Sequence, residues 1–271
     1  MNQKIKNFFT NKINAIVVII AVVAVVLVVI GCFCTDIAQN ILISLGTNVF
    51  TSTVLFFFID QRIEEKKQKD DEKYKRKNER KNILKYHMSL EAKLTELFVH
   101  YNQLIIPYED RIKDGKFLPI RRDGFEELEH VSQLVDLFNN SVTVYGRFGE
   151  TSLSAFKRTH DKIIELFRAC LLEIDFDSYD ELKKTLERIN TVSSMPNCIE
   201  ALESLQNQKV CVDMLKELMK SYNGNINEDI VSQKYSGNLI LQPLTLCYYL
   251  CAFKEAVNAY VFEINRIKVE N

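Results

Sequence analysis

The chain has 271 residues, 47% of them hydrophobic and 26% charged, and 35 Lys and Arg against 36 Asp and Glu leave a formal net charge of −1. That balance hides a split: 14 basic against 8 acidic residues up to Tyr86, then 21 against 28 from His87 onward. The basic part suits anionic lipid headgroups, where each Lys or Arg near the surface contributes about 1 kcal/mol. The acidic part would repel phosphate, so direct nucleic-acid binding is not expected.

Residues 13–35 carry no charge, residues 37–59 carry none, and only Asp36 separates them. A helix needs about 20 mostly apolar residues to cross a hydrocarbon layer about 30 Å thick. "AIVVIIAVVAVVLVVIGCF" (15–33) meets that length, and the second segment closes on "VLFFFI" (54–59). Unpaired backbone is excluded from lipid, so spans of about 13–35 and 37–59 predict a transmembrane helical hairpin. Lys4, Lys6 and Lys12 precede it, and residues 61–86 hold eleven basic against six acidic side chains. Positive flanks stay cytoplasmic, which places both termini, and everything after Asp60, inside. "VIGC" (29–32) is similar to a bacterial lipobox, but the apolar run exceeds the about 7–15 residues of a signal peptide, and Val29 stands where Leu is favoured. Lipidation of Cys32 stays an open alternative, and the inside placement holds either way.

The second span carries polar side chains at its centre, in "SLGTNVFTST" (44–53). At about 100° per residue, Asn40, Ser44, Thr47, Asn48 and Thr51 fall within one arc of about 100°, with Ser52 just outside. Gly46 and Thr53 lie opposite, and Ala24 and Gly31 share a face of the first span. Small residues let helix backbones approach, so the first span is expected in the Gly46–Thr53 groove, leaving the polar stripe for a further copy of the chain or for water. The alternative sets the stripe against the first span.

"DQRIEEKKQKDDEKYKRKNERKN" (60–82) is almost wholly polar, with charges spaced for i,i+4 pairing, and predicts a helical stalk. Ile83, His87, Leu90, Leu94, Leu97, Tyr101 and Leu104 then form a short heptad seam, stopped by Pro107. It reads either as a coiled coil between subunits or as a helix of an ordinary bundle. Gly115, Pro119 and Gly124 mark a loop or short hairpin. Helices are expected in 125–140, 151–174, 178–192, 197–224 and 238–269. Ser178 and Glu181 suggest a capping box, Gly224 a helix C′ position, and "SVTVYGRF" (141–148) a strand or connector. A polar loop to about Gly237 precedes the last helix, which is read as a core helix rather than a third span. The fold class is all-α, with a hairpin in 1–60, a charged stalk with its seam in 61–105 and a cytosolic helical bundle in 106–271.

Catalytic motifs are absent: no P-loop, dinucleotide fingerprint or H-E-x-x-H occurs. Four histidines and seven cysteines without metal spacing predict no metal and no cofactor. Cys247 and Cys251, one turn apart, read as packing residues, as do Cys32 and Cys34. In "RKNILKYH", Arg80 and His87 have a spacing that resembles the Arg–His pair of the all-helical HEPN ribonucleases, which implies joint action on RNA phosphate and 2′-OH. Lys81 departs from the polar Asn or His usual there. Glu173, Asp175, Asp177, Asp180 and Glu181 read as a charged loop at a helix N-terminus rather than a magnesium site.

The passage from "TSTVLFFFIDQRIEEKK" through a charged stalk into a helical domain resembles the two-span transmembrane effectors of bacterial phage-defence systems, the retron type above all. The resemblance covers the layout of the whole chain. It implies an inner-membrane toxin effector of antiviral, abortive-infection defence, self-associating in the lipid bilayer and disrupting membrane integrity on infection, with a reverse transcriptase and its RNA–DNA product as partners. The competing readings are a membrane-tethered HEPN-like ribonuclease and a non-catalytic scaffold or receptor subunit.

Overall fold

The computed structural model describes residues 12–106, 112–113, 116–139, 145–194, 198–231 and 239–270. Helices account for nearly all regular structure among them: α1 (Lys12–Phe33), α2 (Asp36–Ile105), α3 (Ser152–Glu173), α4 (Asp180–Val192), α5 (Cys198–Leu205), α6 (Lys209–Ser221), α7 (Ile226–Val231) and α8 (Leu241–Val269). The expected short hairpin is a minimal antiparallel ladder, β1 (Ile112–Lys113) with β2 (Lys116–Phe117), in the register Ile112 to Phe117. The chain divides into two compact units, Met1–Arg76 and Lys77–Asn271.

In the first unit, α1 and α2 are separated by Cys34 and Thr35 alone. Helix α2 is long and apolar enough to cross a membrane, and Val17–Phe33 of α1 is a shorter apolar stretch. Only 6% of the most apolar window of α2 is buried. The core helix of a soluble protein would hide that face, whereas here most of it is exposed.

The second unit is built on the far end of α2. All seven seam residues are buried, Leu90, Leu97, Tyr101 and Leu104 completely. They pack within the chain: Tyr86 donates to the Leu166 carbonyl of α3 (2.8 Å), Tyr101 meets Phe156 of α3 edge-on, and His87 faces Tyr260 of α8. The seam is therefore a bundle face, not a free surface for a coiled coil between subunits. Helix α8 buries Leu244, Leu250, Phe253, Val257, Tyr260 and Ile264 against the rest of the unit. Pro243 falls in its first turn, where no backbone donor is needed. Thr151 caps α3 by accepting from the Ser154 amide at 3.2 Å.

Several local expectations fail. Residues 125–130 form no regular structure, and only Val131–Asp136 turns, as a 3-10 helix. A side chain takes the amides that a helix would use: those of Glu129 and His130 donate to Gln133 Oε1 (2.7 and 2.9 Å), while the Glu126 amide, in what would be the first turn, donates to Asn102 Oδ1 (2.8 Å). Such side-chain capture competes directly with helix. Helix α4 begins at Asp180 with Tyr179 as N-cap and no side-chain cap, so Ser178 and Glu181 form no capping box. The Ser178 amide instead donates to Glu79 Oε2 at 2.9 Å.

The expected helix over 197–224 is two helices, broken where the Gln206 and Gln208 amides close tight turns onto Glu203 and Leu205. Gly224 is no C′ residue: α6 ends at the Tyr222 cap, and Gly149 is the positive-φ glycine among the described residues. The polar loop contains α7. Of the strand candidate, 140–144 lie outside the described residues and Tyr145–Phe148 are irregular. Pro107, Gly115, Pro196 and Gly237 also lie outside the described residues.

Candidate functional site: the polar face of helix α2

Gly46 and Gly31 are both buried, as is Ala24. A Cβ built on Gly46 would lie 2.6 Å from Val28 Cγ2 and 2.7 Å from the Ala24 carbonyl oxygen; one on Gly31 would lie 2.9 Å from Ile43 Cγ1. Pairing 31 with 42–43 and 46 with 24–28 runs α1 and α2 antiparallel at backbone contact, which only side chains of this size allow. Thr53 is half-buried and returns its hydroxyl to the Val49 carbonyl at 2.7 Å.

The stripe lies on the other side. Asn40, Ser44, Thr47, Asn48, Thr51 and Ser52 are all exposed. Thr47 satisfies itself on the Ile43 and Ser44 carbonyls (2.8 and 3.0 Å), the back-bonding that Ser and Thr have available within a helix. An Asn amide has two donors and an acceptor, and the Asn48 side chain makes no hydrogen bond among the described residues. The groove holds α1, and the stripe is exposed.

Arg80 and His87 are brought into the second unit, each with partners from α8. The Arg80 guanidinium donates to the Ile267 and Lys268 carbonyls (3.0 and 3.1 Å), which closes the carbonyl-rich end of α8. His87 is 6% exposed, with Nδ1 3.1 Å from the Tyr260 hydroxyl. Burial, assisted by the Lys268 charge, pushes its pKa below the usual histidine value. The Arg80 side chain is thus engaged at the end of α8, and His87 is buried against Tyr260. Of the acidic set, Asp180 and Glu181 both pair with Lys184 (2.7 and 2.8 Å). No group of three or more His, Cys, Asp or Glu among the described residues could hold a metal ion.

Sequence reading missed a polar cluster around Arg158. Its guanidinium reaches Glu96 and Glu150, each at 3.0 Å, and the Tyr145 carbonyl at 3.1 Å, while Lys93 holds the other Glu96 oxygen at 2.6 Å. Burial works against both carboxylates, but Lys93 and Arg158 on Glu96, and Arg158 with the Arg147 amide on Glu150, hold them below their ordinary range. Thr159 donates to Glu96 Oε1 (3.3 Å), so its oxygen accepts from His100 Nδ1 (2.8 Å). His100 Nε2 is then a buried lone pair without a partner among the described residues. Burial and the Arg158 charge push this histidine down to about 4. The signal available in the sequence was Glu96 and His100, one turn apart in a stretch from Leu94 to Ile105 that holds no Lys, no Arg and no second acid.

No protein family, characterised protein or solved structure matches the chain.

Proposed function

We propose that this chain is a two-span protein of a bacterial inner membrane, with both termini and the helical bundle in the cytoplasm, and that copies of it assemble through the polar face of α2 to disrupt membrane integrity. The observation that carries the reading is the exposed stripe, Asn48 at its centre, on the opposite side of α2 from the groove that α1 fills. Facing lipid, an unsatisfied amide costs several kcal/mol. Facing the same stripe on another copy, or water, it is satisfied.

Each interhelical hydrogen bond in a membrane contributes roughly 0.6 kcal/mol on average and up to about 1.7, and a symmetric assembly repeats it at every interface. The basic flanks support the orientation. The layout shared with phage-defence effectors supplies the setting: a toxin held inactive until infection is sensed, with a reverse transcriptase and its RNA–DNA product as the sensing partners in a retron. The engagement of Arg80 and His87 by α8 favours this reading over a ribonuclease.

The test replaces Asn48 with Leu, Thr47 with Val and Thr51 with Val together. The variant should insert at normal abundance, because the new side chains suit lipid better, yet give smaller crosslinked species and no depolarisation with a potential-sensitive dye. Depolarisation as fast as the parent's at equal abundance would show that the stripe is not the working surface.

A further inference from the structure

Within the first unit, α2 runs without a break from the polar stripe into the charged stalk, so one angular frame covers both. At about 100° per residue, Arg62, Lys66, Lys69 and Lys73 fall within an arc of about 60°. That arc lies inside the one holding Asn48 and Thr51, so the polar face of the span continues as a row of bases. All four are exposed, and none has an ion-pair partner among the described residues. Asp60, Glu64 and Asp71 stand on the far side of the helix, while Glu65, Asp70 and Glu72 flank the row. Of the remaining stalk bases in this unit, Arg76 borders the row, and Lys67 and Lys75 lie off it.

Copies that meet through the polar face must also bring these rows together. Packed helix axes lie about 8–10 Å apart, close to one Debye length at physiological salt, so the facing like charges oppose assembly. We propose that the row is a binding site for a linear phosphate polyanion, completed when two stalks face each other, and that filling it permits assembly. The inference rests on assembly through the polar face of α2 and adds the ligand that regulates it.

Distance keeps the membrane's own anions from most of the row. A helix rises about 1.5 Å per residue, which puts Lys69 about 15 Å and Lys73 about 21 Å beyond Ile59 along the helix. The headgroup layer is only about 5–8 Å thick on each side. It reaches Arg62 and, through a snorkelling side chain, Lys66. The row also lacks the aromatic side chains on which nucleic-acid bases stack; Tyr74 lies on another face.

What remains is a chain of phosphates without bases. Lys and Arg side chains only donate, and donors set three or four residues apart suit a run of like anionic groups rather than one. A single row is a weak site, because Glu65, Asp70 and Glu72 flank it. Two facing rows double the positive charge that the polyanion meets.

The experiment follows energy transfer between full-length copies carrying a donor or an acceptor fluorophore fused after Asn271, in neutral detergent micelles at low ionic strength. The probe is inorganic polyphosphate. Its addition should raise transfer several-fold, whereas the same phosphate supplied as monophosphate should not. Lys69→Gln with Lys73→Gln should raise transfer before any anion is added and abolish most of the response. Lys67→Gln with Lys75→Gln, an equal change of charge off the row, should leave the response intact. Equal effects of the two pairs overturn the proposal, since net charge rather than the row would then govern. So does a response to phosphatidylglycerol in the micelles as large as that to polyphosphate, or one confined to a single-stranded oligonucleotide of matched charge. Full transfer in the parent without any anion also overturns it, while leaving assembly through the polar face in place. Absence of transfer in every protein, with and without polyphosphate, overturns that assembly itself and this proposal with it.

Discussion

His100 is a histidine that the fold keeps neutral. It is completely buried, and the charged groups facing it, Arg158 and Lys93 against Glu96 and Glu150, do not compensate the loss of water around an imidazolium. Its folded pKa of about 4 lies below the ordinary value of about 6.5, so between those limits the unfolded chain binds the proton and the folded chain does not. Stability from this group is then complete above about pH 6.5 and falls as the pH drops toward 4, by about 2 kcal/mol at pH 5. The carboxylates of Glu96 and Glu150 add their loss at lower pH, because their folded values are depressed. Urea denaturation of the full-length protein in detergent at pH 7.5, 6 and 5 should show this drop, and His100→Gln should flatten most of it. Equal slopes for the two proteins would remove His100 from the account. His87, whose pKa is also lowered, contributes the remaining slope with the same sign. Neither role was legible from local sequence. The Arg80–His87 spacing was visible, but the carbonyl that holds Arg80 lies 187 positions away, and Arg158 is 62 from Glu96. No periodicity encodes such partners.

At the level of elements, regular helix geometry made the polar arc of α2 readable, since residue number alone fixes angle. The same rule placed α3, α4 and α8, whose apolar positions repeat with helical period. It failed over 125–140, where the pattern of apolar residues was helical but Gln133 takes the amides of Glu129 and His130. The hairpin offers a sharper test of packing. A methyl group on Gly46 would press on the Ala24 backbone oxygen at 2.7 Å, which cannot rotate away, whereas one on Gly31 first meets a side-chain carbon of Ile43 at 2.9 Å. Gly46→Ala should therefore weaken the α1–α2 contact more than Gly31→Ala, within the roughly 1–3 kcal/mol that overpacking costs. Unfolding of each variant in micelles of rising SDS fraction would rank them. The opposite order would mean that the close approach at Gly46 does not bear the contact.

For the whole molecule, the question is which unit makes copies of the chain associate. Among the described residues, the buried core of the second unit runs from Ile83 to Ile267. Its heptad seam, the feature in the sequence most suggestive of a second chain, is spent on α3 and α8. A fragment comprising residues 77–271 should therefore fold alone, unfold cooperatively and remain a monomer by light scattering. The full chain, carrying the exposed face around Asn48, should crosslink into larger species in membranes. The comparison separates two sources of assembly that full-length crosslinking alone would merge. If the fragment forms oligomers of the same number as the full chain, assembly belongs to the helical unit, and the stripe on α2 faces water or a different partner instead.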